Sequence, residues 1–321
     1  MTVIAPMQSS PCCDRFCLSR NDTPWQIVAI EPVEPFTPPH YCTRLERRRH
    51  PNDTHFSVRR PSYREPSPHH VLAVQTAPRP RNSLEQTIAS LEIAGSGRWP
   101  GPKLLIADGC QPDIPRNRML PGWLHSISPS PASGSAKTFL RLLRLSLLID
   151  PKLESLTCIQ DDVILCLNGL DYISRISVPP DVTLMTWFSL PYDYSYPPSP
   201  VQRPHPSEST LPIFACRPTR FFILGQAFTL ARKSVDSLLS CPRVALDWPK
   251  LHGSDEMPAW SLGDTTYATH FPNLAQHMEG ENSACLMTLG NPPQKTPHEG
   301  PRTSPYFPGA DFDALSLMEG K

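Results

Sequence analysis

The sequence predicts an α/β fold in which a mostly parallel β-sheet is flanked by helices, with disordered proline-rich stretches at both ends. Short apolar runs of strand length alternate with segments of helical periodicity from residue 71 onwards, the order typical of a parallel sheet with right-handed crossovers. The prolines concentrate before Val71, between residues 191 and 218, and after Asn291. Two adjacent aspartates, Asp161 and Asp162, interrupt one of the apolar runs and indicate where a ligand would bind.

The prolines set the predicted domain boundaries. There are 41 prolines in 321 residues, about 13% of the chain where about 5% is usual. We therefore predict a disordered Pro/Arg-rich region at 1–69, one globular domain at 70–290, and a disordered Pro-rich tail at 291–321. A further proline-rich stretch at 191–218 is predicted to be a surface loop or lid.

The first half of the predicted domain contains three strands and two helices. Residues 71–76 form the first strand, and Asn82 or Ser83 caps a helix that a Gly-Ser-Gly sequence ends at 95–97. Residues 103–107 form a second strand that leads into Asp108. A long loop at 112–135 precedes an apolar helix at 136–148, and the third strand at 156–160 leads into the acidic pair.

The second half is predicted from the same patterns. A short helix covers 168–176, strands cover 182–188 and 221–228, and a helix runs from Thr229 or Ala231 to Leu239.

Composition excludes several classes of function. Lys plus Arg and Asp plus Glu each number 30, so no nucleic-acid partner is expected, and the local arginine cluster at 44–60 is predicted to be a solvated tail. The ten cysteines show no CxxC spacing, so neither a disulfide framework nor a zinc site is predicted. No signal peptide or apolar run of about 18 residues is visible. We expect a soluble, cytoplasmic protein, or a secretory or Golgi one only if the true N-terminus carries an anchor.

The acidic pair is the strongest functional signal. Buried carboxylates cost several kcal/mol unless they are paired, and ligands of open α/β sheets bind at the carboxyl ends of strands. Adjacent aspartates at such an end can hold a hard divalent ion that bridges to a phosphate. The alternative is a solvated turn at the end of a strand.

Four stretches of the sequence, taken in order, resemble a nucleotide-sugar-dependent glycosyltransferase of the GT-A fold, which has a Rossmann-type sheet. They are similar most of all to the N-acetylglucosaminyltransferase-type families. The stretches are 74–91, 104–109, 160–163, and a downstream set at 225–227, 253–256 and 271–283. The third stretch departs from the family pattern, because Gln160 stands where a fuller motif carries an acid.

The resemblance implies a role for each candidate residue. Asp162 and His277 would bind Mn²⁺ or Mg²⁺, and Asp255 would be the general base, with Glu256 as its substitute. The remaining candidates would contact the nucleotide or sugar of the donor: Thr76, Arg79, Asp108, Asp161, Gly225 and Gln226.

The implied activity is metal-dependent transfer of a sugar, of the hexosyl or N-acetylglucosaminyl type, from a UDP-sugar to a hydroxyl of a glycan, protein or lipid. The resemblance favours inversion. For several residues a structural alternative stays open: a tight turn for Asp108, a helix cap for Asp255 and a strand bulge for Gly225. Two other functions also remain, a catalytically inactive relative and an interaction scaffold that recruits partners through its proline-rich stretches.

Overall fold

The computed structural model describes residues 15–18, 26–29, 57–77, 83–109, 122–127, 134–189, 212–219, 225–242, 244, 256–262, 265–278, 304 and 306–319. The strands are β1 Arg15–Leu18, β2 Gln26–Ala29, β3 Ser57–Arg59, β4 His70–Thr76, β5 Lys103–Ala107, β6 Leu124–Ile127, β7 Ser155–Gln160, β8 Val163–Leu165, β9 Val182–Thr186, β10 Ile213–Pro218, β11 Ala227–Ala231, β12 Thr266–Phe271 and β13 Ala275–His277. The α-helices are α1 Leu84–Ile93, α2 Ser135–Ile149, α3 Gly169–Arg175, α4 Arg232–Ser240, α5 Glu256–Ser261 and α6 Ser316–Glu319.

The central feature is a nine-stranded sheet in the order β3-β10-β12-β9-β11-β7-β4-β5-β6. Four neighbouring pairs are parallel: β4 with β5, β4 with β7, β5 with β6, and β9 with β12. The other four are antiparallel, because β11 runs against both β7 and β9, and β10 runs against both β3 and β12. The fold is α/β with a large mixed sheet, so the prediction of a mostly parallel sheet is wrong for its second half.

Helix ends in the first half follow local chemistry. Helix α2 ends at Ile149 because Asp150 precedes Pro151, and a residue before proline is disfavoured in the helical region. Helix α1 ends before Gly95, whose φ of 103° suits glycine, and a Cβ there would lie 2.5 Å from a carboxylate oxygen of Asp171. These boundaries agree with the predicted helices to within about two residues.

Several elements differ from their predictions. Strand β6 lies inside the predicted loop at 112–135, and β10 lies inside the predicted loop or lid at 191–218. The described strand β11 begins at Ala227 rather than at residue 221, and residues 220–224 lie outside the described part. Short four-residue strands and a proline-terminated strand beside the sheet edge carry little periodic signal, which explains both omissions.

The packed part of the chain reaches into both predicted flanks. Strand β3 joins the sheet edge beside β10. At the other end, Ala314 and Leu317 are buried, and Tyr306 packs edge-on against Phe271 at a ring-centroid distance of 5.0 Å. Between these ends, the core is formed by apolar side chains of the sheet and of α2, such as Phe139 against Phe228. None of the described helices is long and apolar enough to cross a membrane.

Candidate nucleotide and metal site

Strand order identifies one edge of the sheet as the place for a ligand. Numbered along the chain from β4, the parallel strands β6, β5, β4 and β7 lie in the order 3-2-1-4. The chain adds β5 and β6 on one side of β4 and then returns to add β7 on the other side. The strand order therefore reverses between β4 and β7, and ligands of doubly wound sheets bind in the crevice outside the carboxyl ends of strands at such a switch point. Thr76 is the last residue of β4, and Asp161 directly follows β7.

A short hydrogen bond joins the two strand ends at this crevice. The Thr76 hydroxyl donates to Oδ2 of Asp161 at 2.6 Å, and the Ala77 N–H lies 3.4 Å from the same oxygen. The Asp161 N–H in turn donates to the Gln75 carbonyl at 3.1 Å. Both side chains are buried. Thr76 and Asp161 therefore lie together at the carboxyl ends of β4 and β7, and the Thr76 hydroxyl holds the Asp161 carboxylate in place.

The second aspartate has a different neighbour. His277 Nε2 donates to Oδ2 of Asp162 at 3.1 Å, and both side chains are less than 10% exposed. Strand β13 brings them together by pairing antiparallel with β8, so that His277 is opposite Val163. The Met278 N–H also donates to the Asp162 carbonyl at 2.8 Å. The two residues, 115 apart in the sequence, are thus in direct contact.

Helix α1 supports β8 from its other side. The Val163 N–H donates to the Thr87 hydroxyl at 3.3 Å, and the Leu165 N–H donates to the Ser90 hydroxyl at 2.7 Å. Thr87 and Ser90 are three residues apart, so they lie on one face of the helix. These hydroxyls belong to a stretch interpreted as gripping the nucleotide. In the structure they satisfy strand backbone instead, a role that their spacing alone could have suggested.

The other predicted donor contacts occupy the same edge with structural partners. Oδ2 of Asp108 accepts the Gly134 N–H at 2.8 Å, directly before α2 begins. The Gln226 carbonyl accepts the Gln160 N–H at 2.8 Å, so Gly225 and Gln226 enter β11 beside the end of β7. Oε1 of Gln226 is buried, and it has no hydrogen-bond partner among the described residues. A buried acceptor of this kind can receive a ligand hydroxyl.

Two of the predicted site residues lie outside the described part of the chain. Arg79 and Asp255 are not among the described residues. Glu256 is the first residue of α5, but its side chain is not described.

The fit of a divalent ion can be tested on Asp162 and His277. His277 Nε2 and Oδ2 of Asp162 lie 3.1 Å apart, which is the separation of the hydrogen bond between them, so Nε2 would have to be unprotonated to bind an ion. His277 Nδ1 is buried with no hydrogen-bond partner in the described residues. No group of three or more His, Cys, Asp or Glu side chains within the described part could hold a metal ion. Asp162 and His277 are thus two potential ligands, and phosphate oxygens and water would have to supply the rest of an ion's coordination shell.

Comparisons with known proteins give a limited result. No family model matches the chain, and no curated protein matches it. Among solved structures, the chain is similar to the mannosyltransferase PcManGT from Pyrobaculum calidifontis, determined in complex with GDP-Man and Mn²⁺. The likeness covers 56% of this chain and 47% of that chain, about half of that protein's length, with 13% identity and a TM-score of 0.36. A likeness of this extent assigns no activity to the chain.

Proposed function

We propose that the chain is a metal-dependent glycosyltransferase that moves a sugar from a UDP-sugar to an acceptor hydroxyl with inversion. The observation that carries the proposal is the meeting of Asp162 and His277 beside a switch-point crevice whose edge also holds Thr76 and Asp161. Such a crevice suits a nucleotide, and the donor atoms beside it suit the ion that accompanies a diphosphate.

The reaction makes specific demands on the site. The glycosidic C–O bond to the diphosphate breaks while the acceptor oxygen bonds to the anomeric carbon, and the acceptor proton must leave. When bound, Mn²⁺ or Mg²⁺ would stabilise the negative charge of the departing nucleoside diphosphate. Asp162 and His277 would hold that ion.

The remaining residues would bind the donor and move the proton. Asp161, held by Thr76, and Asp108 would accept hydrogen bonds from the ribose or base. The buried Oε1 of Gln226 would accept a sugar hydroxyl. Asp255 would take the acceptor proton as the bond forms, which requires its carboxylate to be within hydrogen-bond reach of the acceptor oxygen. Transfer of N-acetylglucosamine or another hexose follows from the sequence resemblance.

Calorimetric titration of the full-length chain with UDP, first with Mn²⁺ and then after chelation, tests the proposal. We expect binding that depends on Mn²⁺ and is lost in Asp162→Asn. Asp150→Asn is the matched control, because Asp150 also pairs with a histidine, His69 at 3.1 Å, but precedes β7 instead of following it.

The outcomes separate the alternatives. Binding with release of the sugar from a UDP-sugar supports the transferase, whereas Mn²⁺-dependent UDP binding without any turnover identifies an inactive relative. A folded chain that binds no nucleoside diphosphate would refute the proposal and favour the interaction scaffold.

A further inference from the structure

Strand β13, which carries His277, pairs with β8, and the Leu274 and Ala275 N–H groups at its start both donate to the Trp187 carbonyl at 3.0 Å. It has three residues and pairs with the three residues of β8 in a separate two-stranded sheet. Isolated two-stranded pairs are only marginally stable in water. The position of His277 against Asp162 must therefore depend on further contacts to β13.

The chain's end supplies such a contact. We call residue 304 together with residues 306–319 the C-terminal segment. Nε2 of Gln276 donates to the Ser304 carbonyl at 3.0 Å, and the Ser304 N–H donates to Oε1 of Gln276 at 2.7 Å. The side-chain amide of Gln276 thus pairs with both main-chain groups of Ser304, much as a neighbouring strand would.

The residues directly before β13 are bound to the same segment. The Ser304 hydroxyl donates to Oδ1 of Asn273 at 2.5 Å, and the Asn273 N–H donates to the Tyr306 carbonyl at 3.0 Å. Asn273 is fully buried. The start of β13 is therefore fixed by main-chain and side-chain bonds to the C-terminal segment.

The far end of the C-terminal segment is anchored beside α3. The Leu167 N–H donates to the Ala310 carbonyl at 2.9 Å, and the Ala314 N–H donates to the Leu167 carbonyl at 3.0 Å. Nδ2 of Asn168 donates to Oδ1 of Asp313 at 3.0 Å. A segment bound at both ends can transmit a fixed position to β13.

Gln276 is the link between the segment and the site. Successive side chains of a strand point to opposite faces, and Gln276 is partly exposed while its neighbours Ala275 and His277 are buried. We infer that the C-terminal segment is a positioning element for His277, and that Gln276 is the positioning residue through which it acts. This inference rests on the proposed function, since it concerns the residue that would hold the ion.

Gln276→Met tests the inference, because methionine has a similar shape and cannot form either bond to Ser304. Loss of a residue that orients a metal ligand typically weakens metal affinity about 10-fold to 100-fold. We expect such a loss in the affinity of the full-length chain for Mn²⁺ in the presence of UDP, measured by calorimetry.

A second readout needs no metal. In the metal-free chain, the amide hydrogens of 275–278 should exchange faster in Gln276→Met than in the wild type. Thr157→Val is the control for general destabilisation, because it removes buried hydroxyl bonds to His70 and Thr229. It should leave both the Mn²⁺ affinity and the exchange of 275–278 unchanged.

The results distinguish this inference from the proposed function. If the wild type binds Mn²⁺ with UDP and Gln276→Met binds equally well, or if 275–278 exchange at the wild-type rate in that variant, the positioning role is refuted alone. If the wild type itself binds no Mn²⁺ with UDP, the proposed function is refuted and this inference falls with it.

Discussion

Thr76→Val isolates the hydrogen bond that braces the first aspartate. Valine preserves the shape of threonine and removes the donor that lies 2.6 Å from Oδ2 of Asp161. Thr76 is 4% exposed and Asp161 is 2% exposed, so water cannot readily replace the lost hydroxyl. The Ala77 N–H, at 3.4 Å, is too distant to compensate fully.

The expected cost follows from these values. Hydrogen bonds to charged groups contribute about 1.5–3 kcal/mol, and a buried carboxylate that loses a donor bears a desolvation penalty of similar size. We therefore expect Thr76→Val to lower the free energy of unfolding by about 2 kcal/mol. Urea denaturation of the full-length chain at pH 7, followed by circular dichroism, measures this change.

A double-mutant cycle with Asp161→Ala assigns the loss to the pair. The cost of Thr76→Val should largely disappear when Asp161 is already alanine, which gives a coupling energy of about 1–2 kcal/mol. A change below about 0.5 kcal/mol in the single variant, the size typical of uninvolved surface positions, would refute the reasoning.

Three further predictions concern stability. Gly101→Ala would place a Cβ 2.1 Å from the His70 carbonyl oxygen, so the free energy of unfolding measured in urea should fall by about 1–3 kcal/mol. An unchanged midpoint of urea denaturation would contradict the close packing of Gly101 against His70. Burial lowers the pKa of His70 to about 3 and that of His270 to about 4. Below the ordinary histidine pKa of 6.5, both rings therefore take up a proton when the chain unfolds. The free energy of unfolding should consequently decrease by about 2 kcal/mol for each ring as the pH is lowered from 7 to 5. Replacing His270 by glutamine should reduce that slope, and an equal slope in the variant would exclude the ring as its source. Arg59→Ala removes an exposed ion pair with Asp181, so the free energy of unfolding in urea should fall by less than about 1 kcal/mol. A larger fall would contradict this prediction.

The sequence predicted the first half of the fold better than the second for a physical reason. Strands β4, β5 and β7 are continuous apolar runs separated by a helix with clear end signals, and parallel pairing follows from that order. Strand β11 is also almost fully buried, so its composition resembles that of a parallel strand. Its antiparallel direction depends on where the preceding chain crosses the sheet, which periodicity does not encode.

The same limit applies to the candidate site. The position of Asp161 after an apolar strand was readable from the pattern, whereas its hydrogen bond to Thr76 at the end of β4 was not. The contact of Gln276 with Ser304 was not, because both are ordinary polar residues and Ser304 lies in a stretch whose proline content is typical of disorder. Hydrogen bonds between distant main-chain and side-chain groups leave no periodic trace in a sequence.

The two aspartates of the acidic pair have different neighbours. Asp161 and Asp162 form the turn between β7 and β8, and Asp161 faces Thr76 on β4 while Asp162 faces His277 on β13. The two carboxylates therefore do not form a common chelate. Asp161→Ala should lower the free energy of unfolding. It should change the affinity for Mn²⁺ without nucleotide by no more than about threefold, because the proposed ligand pair of Asp162 and His277 is intact.

Asp162→Asn should instead weaken the affinity for Mn²⁺ and leave the free energy of unfolding nearly unchanged. Asparagine preserves the volume and a hydrogen-bond acceptor for His277 but removes the charge that attracts the ion. Calorimetry with Mn²⁺ and urea denaturation, applied to both variants, make the comparison. Equal losses of Mn²⁺ affinity in the two variants would show that the carboxylates act together, and would overturn the division of roles that the two hydrogen bonds indicate.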